Sequence, residues 1–198
     1  MFNIIIFLIP FSLIAKLENV SNGFGLDIGS SGSGVFFVRQ YSNNDRAFAY
    51  NFEARFYDIK AENETIVYDY YSRQYQSVGG KSLFMSPIFL GFNYYPFREK
   101  IENSFSPFIA ARYGLVFILD GKDYGSFLDR WSEPTFEQST GGFVGLGIDF
   151  KYIRKSFIST IFGYEYLPPD PVLSSNEDLE SSLNSGILIH ISFNRYLE

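Results

Sequence analysis

Residues 141–153 read GGFVGLGIDFKYI, and this stretch shows the feature that most restricts the fold of the chain. Every second residue from Val144 to Tyr152 is apolar, whereas the residues between them are small or charged. Successive side chains of a β-strand point to opposite faces, so this period predicts a strand with one apolar and one polar face. The alternation recurs along almost the whole chain, and helical periodicity is nearly absent. The sequence therefore predicts an all-β protein.

Turn-forming residues divide the chain into eight segments with this alternation. The predicted strands are 23–41, 46–59, 64–76, 82–95, 105–119, 140–153, 156–166 and 185–195. The run from Gly29 to Gly34 interrupts the first segment, which forms either one kinked strand or, with a turn there, two strands. The two longest gaps are 120–139 and 167–184.

The composition excludes several classes of function. The net charge is -6 and there is no cluster of Lys and Arg, which argues against a nucleic-acid partner. Because the chain has no cysteine, it has no disulfide framework, cysteine zinc site or thiol nucleophile. Neither a metal nor another cofactor is predicted. Aromatic residues make up 20% of the chain, and they favour both strands and membrane interfaces.

The N-terminus begins with an apolar run from Phe2 to Ala15. This run is shorter than the roughly 20 residues that a membrane-spanning helix needs, and it has the length of a signal-peptide core. We therefore expect a signal peptide over 1–15 and a single barrel domain over 16–198. The alternative is a buried first strand or an amphipathic N-terminal segment.

The polar faces of the predicted strands mix single charges with Gly, Ala and Ser. A water-facing sheet would carry more long polar side chains, whereas small residues beside long charged ones suit the crowded interior of a small barrel. The charges nearly balance, as buried charges must. The predicted network in the lumen consists of Asp27, Glu53, Arg55, Asp69, Arg73, Arg112, Asp149, Lys151 and Glu165.

With the polar faces inside, the apolar faces would contact lipid. Only a closed barrel satisfies the backbone of a sheet in lipid, and most segments have the roughly 9–11 residues that a membrane-spanning strand needs. An even number of strands puts both termini on one side, predicted to be the periplasm, and the gaps 120–139 and 167–184 on the other. Side chains fill a barrel of eight strands, so no open pore is expected. Tyrosines near strand ends are predicted to form interface girdles: Tyr94, Tyr95, Tyr152, Tyr164 and Tyr166.

Three segments, PIFLGFNYYP (87–96), SPFIAARYG (106–114) and GGFVGLG (141–147), resemble those of small bacterial outer-membrane β-barrel proteins. The last strand, Gly186 to Phe193, resembles the aromatic-ended signal that the barrel assembly machinery reads in this class. The resemblance implies an eight-stranded up-and-down antiparallel barrel in the outer membrane of a Gram-negative-type bacterium. Its partners would be membrane lipid, lipopolysaccharide and the assembly machinery. Its role would be structural or depend on binding by the loops, whose ligand the sequence does not name.

Other functions stay open at this point. His190 and Ser192 share one face of the last strand and resemble the pair in lipid A deacylase barrels, with Glu165 as the carboxylate. The alternative for His190 is a hydrogen bond to Glu165 or a Tyr inside a polar lumen, and we predict that the protein is not an enzyme. A narrow channel for small apolar molecules and a soluble lipocalin-like carrier, with the apolar face turned inward, are the remaining alternatives.

Overall fold

The computed structural model describes residues 19–30, 32–42, 47–60, 65–71, 73–78, 82–97, 104–121, 132, 134–153, 155–167 and 185–197. The signal peptide predicted over 1–15 lies outside the described residues. The strands are β1 (Asn19–Gly29), β2 (Gly32–Ser42), β3 (Phe48–Lys60), β4 (Thr65–Asp69), β5 (Gln74–Val78), β6 (Ser82–Tyr94), β7 (Phe105–Asp120), β8 (Thr135–Ile153), β9 (Ser156–Tyr166) and β10 (Gly186–Tyr196). Within these ranges no helix has the length and apolar character needed to cross a membrane.

Eight of these strands form one closed barrel in the order β1-β10-β9-β8-β7-β6-β3-β2. Every neighbouring pair is antiparallel, and β1 closes the barrel by pairing with both β10 and β2. The predicted fold class, an up-and-down antiparallel barrel of eight strands, is thereby confirmed.

The prediction of a single first strand over 23–41 is wrong, and its alternative of two strands is right. β1 and β2 form a tight hairpin in which Gly29 pairs with Gly32. Gly32 has a φ of 117°, a conformation that residues with a side chain rarely adopt. The chain therefore reverses within the glycine and serine run, and Gly32 supplies the backbone freedom that this reversal requires.

The prediction of a barrel strand over 64–76 is also wrong. β4 and β5 pair only with each other, as a separate two-stranded sheet inserted between β3 and β6. Arg73, at the turn of this hairpin, has a φ of 54°. Asp69 and Arg73, which we expected in the lumen network, thus belong to a hairpin that is not part of the barrel wall. The two errors cancel, and this is why the predicted number of eight strands was still correct.

The corrected topology sorts the connections by length. Connections 61–81, 121–134 and 167–185, with the short β1–β2 turn, meet at one end of the barrel, which we call the loop end. The shorter connections 43–47, 95–104 and 154–155 meet at the other, with both ends of the barrel segment. We call this second end the termini end. The loop end therefore carries the three longest connections. Two of them correspond to the gaps 120–139 and 167–184 in the sequence, and the third, 61–81, contains β4 and β5.

Side chains on the barrel wall follow the inverse of the pattern in a water-soluble protein. The outward residues Phe24 and Leu146 are 70% and 67% exposed, whereas inward Asp27 is 1% exposed and Arg55 is fully buried. Most outward positions on the other wall strands are apolar too, including Val35, Phe56, Leu90, Phe92, Ile109, Leu115, Phe162, Ile187, Ile189 and Ile191. So wide an apolar surface is typical of contact with lipid.

Candidate functional site

The middle of the barrel holds a group of buried charged side chains, which we call the ionic cluster. They come from five wall strands, β1, β3, β7, β9 and β10, and so meet across the lumen rather than along one wall. Its members are Asp27, Glu53, Arg55, Tyr57, Arg112, Glu165 and His190. Alternation on each strand places them there, since all of them occupy inward positions.

Arg55 is the centre of the ionic cluster. Its Nε donates to Glu53 Oε1, and its first terminal nitrogen lies 2.7 Å from Glu165 Oε1 on β9. Its Nε also lies 3.7 Å from Asp27 Oδ2 on β1. The guanidinium carbon is 5.1 Å and 5.0 Å from the ring centres of Phe89 and Phe143. Arg55 therefore neutralises carboxylates from three strands while two aromatic rings exclude water from it.

His190 joins two carboxylates of the ionic cluster. Its Nδ1 is 2.7 Å from Asp27 Oδ1, and its Nε2 is 3.8 Å from Glu53 Oε2. Phe36 stacks on the imidazole with ring centres 3.6 Å apart. The inward position Gly25 makes room for this ring, because a Cβ there would lie 2.2 Å from the Phe36 ring. The imidazole is thus held by a hydrogen bond to Asp27 at Nδ1, by the longer contact with Glu53 at Nε2 and by stacking on its face.

Arg112 and Tyr57 complete the ionic cluster. Arg112 Nε donates to Glu53 Oε2 at 3.3 Å, and a terminal nitrogen donates to the carbonyl of Phe92 at 3.1 Å. The Tyr57 hydroxyl donates to Asp27 Oδ2 at 2.9 Å. Three carboxylates, two guanidinium groups and one imidazole therefore share the space, so the buried charges nearly balance.

A second polar group lies closer to the termini end. The Tyr95 hydroxyl donates to Asp149 Oδ2 at 2.7 Å and accepts from Gln40 Nε2 at 3.3 Å, and Ser159 donates to Asp149 Oδ1. Tyr95 is buried, so its prediction as an interface residue is wrong. Tyr95 directly follows the last residue of β6 and continues the alternation of that strand, so its side chain points inward.

Apolar side chains fill the lumen on either side of the charged groups. The sequence-based prediction of a polar lumen did not include these apolar side chains. Phe108 lies beside Tyr95 towards the termini end, with ring centres 5.2 Å apart. Buried Val116, Ile118, Leu167 and Leu188 lie towards the loop end. The signal for them was present, since alternation places Val116 on the same face as Arg112, and Leu188 on the same face as His190.

The remaining predicted residues lie outside these groups. Lys151 is exposed near the termini end of β8, so its prediction as a member of the buried network is wrong. Tyr152, Tyr164 and Tyr166 are exposed on the outward face, the first near the termini end and the other two near the loop end. Tyr94 is half-buried near the termini end. These four residues lie at both rims, and their role as interface girdles stays a prediction.

His190, Ser192 and Glu165 do not form a catalytic arrangement. Ser192 Oγ accepts from Asn194 Nδ2 at 2.9 Å, and Glu165 bonds to Arg55. The carboxylate beside His190 is Asp27, and the imidazole is only 2% exposed. Across the described part of the chain, no group of three or more His, Asp and Glu side chains is placed to hold a metal ion.

Solved structures give the context for this geometry. A major outer membrane protein from Thermus thermophilus superposes with a TM-score of 0.59 at 12% identity, covering 90% of this chain and 99% of its own. Neisserial surface protein A gives 0.52 at 11% identity, covering 90% and 94%. OprG from Pseudomonas aeruginosa gives 0.52 at 11% identity, covering 92% and 97%.

This chain has the fold of the small outer-membrane β-barrels. At such low identities the likeness concerns the fold alone, and it extends over nearly the full length of each of these proteins. No protein-family model matches the sequence. No curated protein sequence matches it either.

Proposed function

We propose that the protein is an integral outer-membrane β-barrel without an open pore, which stabilises the envelope and binds partners at its loop end. One observation carries the proposal: outward positions on all eight wall strands are mostly apolar, whereas the charged side chains of the ionic cluster are buried inside. In water the outward face would cost about 25 cal/mol for each Å² of apolar surface left exposed. In lipid that surface is matched by its surroundings.

The closed lumen supports a structural role over a channel. Arg55 bridges β3 to β9, and apolar side chains lie on either side of the ionic cluster along the barrel. A narrow channel for small apolar molecules would need these side chains to move apart. That movement would leave buried carboxylates without their partners, which typically costs about 3–5 kcal/mol for each broken pair.

The orientation follows from the lengths of the connections. Outer-membrane barrels have short periplasmic turns and long outer loops, so we place the termini end in the periplasm and the loop end outside the cell. The last strand supports recognition by the assembly machinery, because Ile187, Ile189, Ile191 and Phe193 form an outward apolar row on β10. Contact with outer-membrane lipid and lipopolysaccharide follows from the same placement.

The β4–β5 hairpin at the loop end supports a binding role. Tyr70 is 85% exposed and Tyr71 is fully exposed, and Tyr68 packs edge-on against Tyr70 with ring centres 5.2 Å apart. Tyr and Arg are the residues that most often provide binding energy at protein surfaces, and Arg73 is exposed at the same turn. The hairpin is therefore a third candidate for the recognition surface, in addition to the loops 120–139 and 167–184.

The other functions considered fit the geometry less well. A lipid-modifying enzyme would need His190 and Ser192 to reach substrate, and both are buried with other partners. A lipocalin-like carrier would need an apolar interior with space for a ligand, whereas here the charges are inside.

Expression of the chain with its own N-terminus tests the proposal. We expect it in the outer-membrane fraction, with a gel band that shifts on boiling, and we expect the purified protein to give no steady conductance in planar bilayers. The double variant His190→Ala and Ser192→Ala should leave lipid A unchanged relative to the parent chain. A protein that stays soluble without detergent and shows no shift would contradict the membrane assignment. Steady conductance would contradict the closed lumen alone.

A further inference from the structure

Two arginines face outward close to the termini end, where most outward positions are apolar or aromatic. Arg39 on β2 pairs in register with Asn22 on β1, and Asn22 pairs with Arg195 on β10. The three residues therefore form one row across neighbouring strands, with the two arginine Cα atoms about 9.6 Å apart by the usual strand spacing. The part of the chain that is described contains no carboxylate paired with either guanidinium.

The Arg39 side chain bends towards the rim of the barrel. Its guanidinium carbon lies 5.5 Å from the ring centre of Tyr41, which is the next outward residue towards the termini end. Arginines near a membrane interface extend in this way, with the aliphatic stem along apolar surface and the charge at the level of the lipid headgroups. The row is thus placed to meet a negative charge at that level.

An apolar groove lies directly next to this row, on the side towards the middle of the barrel. It has a volume of about 450 Å³, and its walls are formed by Phe24, Leu26, Val35, Phe37 and Phe56, with Gly25 and Phe36 at the floor. Phe24 and Phe37 pair across β1 and β2, two residues nearer the middle of the barrel than the pair of Asn22 and Arg39. This volume lies within the roughly 300–1,000 Å³ that is common for small-molecule sites.

We propose that this face binds a phospholipid of the periplasmic leaflet, with its phosphate between Arg39 and Arg195 and one acyl chain in the groove. The dimensions fit, because Asn22 to Leu26 spans about 13 Å of strand. That length is close to half of the roughly 30 Å hydrocarbon core of a bilayer. The proposal rests on the membrane orientation given above, which places the termini end at the periplasmic leaflet.

Native mass spectrometry of the folded barrel, released from nanodiscs of phosphatidylglycerol, phosphatidylcholine and diacylglycerol, tests the site. The wild-type protein should retain one phosphatidylglycerol in preference to the other two lipids. Arg39→Gln and Arg195→Gln should each weaken that retention about tenfold, which corresponds to about 1.4 kcal/mol. Arg73→Gln, which removes the same charge at the opposite end, should not change it.

The groove has its own matched pair of variants. Leu26→Trp should reduce retention by filling the groove, whereas Leu146→Trp, on another part of the outward face, should not. Equal retention of diacylglycerol and phosphatidylglycerol would overturn the role of the phosphate, and retention unchanged by Leu26→Trp would overturn the role of the groove. In a barrel that still shows the gel shift on boiling, either result leaves the membrane assignment intact. A chain that never enters the nanodisc would overturn both.

Discussion

On β8, Leu146 and Asp149 lie three residues apart in opposite surroundings. Leu146 faces outward with 67% of its surface exposed, and its only requirement is to be apolar. Asp149 faces inward, where it accepts hydrogen bonds from Tyr95 and Ser159. The wall depends on a general property that many residues share, whereas the lumen depends on particular partners at particular atoms. The two faces should therefore respond differently to substitution.

The largest effect is expected at the centre of the ionic cluster. Arg55→Met leaves the carboxylates of Glu53, Asp27 and Glu165 close together without their shared cation. We expect the free energy of unfolding to fall by about 3–5 kcal/mol, as measured by urea titration of the gel-shifted form in lipid vesicles. Arg73→Met, in the exposed hairpin turn, is the control and should change it by less than about 0.5 kcal/mol. An Arg55 variant as stable as that control would refute the importance of the cluster.

A charge on the outward face should have the next largest effect. Leu146→Arg should lower the free energy of unfolding in vesicles by about 2–4 kcal/mol, because a charge near the middle of the bilayer is poorly solvated. Leu146→Phe keeps the position apolar and should stay within about 1.5 kcal/mol of the parent. If arginine were tolerated as well as phenylalanine in the same urea titration, the outward face would not be in lipid.

Adjacent tyrosines give a smaller and more local comparison between the two faces. Tyr95→Phe removes the hydroxyl that links Asp149 to Gln40, and we expect a loss of about 1–3 kcal/mol in the free energy of unfolding. Tyr94→Phe removes the same hydroxyl from a residue on the outward side and should cost less than about 0.5 kcal/mol. Equal losses of unfolding free energy for the two variants would mean that the hydrogen bonds of the Tyr95 hydroxyl do not stabilise the barrel.

The smallest effect on stability is expected at the β4–β5 hairpin. The double variant Tyr70→Ser and Tyr71→Ser changes exposed side chains outside the barrel wall, so the free energy of unfolding should move by less than about 0.5 kcal/mol. The same variant should lose adhesion of expressing cells to any surface that the parent binds. Unchanged adhesion, with the barrel folded, would remove the hairpin from the recognition surface.

The sequence was sufficient for the wall because the wall depends on alternation. Period and composition alone placed Val144, Leu146 and Ile148 on the apolar face of their strand, and all three side chains face outward in the barrel. The prediction of a barrel strand was wrong where the sequence alternates but the chain does not enter the barrel wall. In 64–76 the polar and aromatic residues alternate as in a strand, but hydrogen bonding confines them to a hairpin.

The lumen was predictable only in part. Period placed Asp27, Glu53, Arg55, Arg112, Glu165 and His190 on inward faces, so the types of residue inside the barrel followed from the sequence. Their partners did not, because a contact such as Arg55 with Glu165 depends on how the sheet closes and on the offset between strands 110 residues apart in the chain. The same reason explains why His190 meets Asp27 rather than Glu165.

The central claim is that the apolar face of the barrel contacts lipid, and spin-label accessibility tests it most directly. The chain has no cysteine, so a single cysteine at Val144, Leu146, Ile148 or Phe150 carries a unique nitroxide label. In vesicles all four should be more accessible to oxygen than to a water-soluble nickel reagent, whereas a label at Tyr71 should show the reverse. Outward labels as accessible to the nickel reagent as the label at Tyr71 would contradict the account.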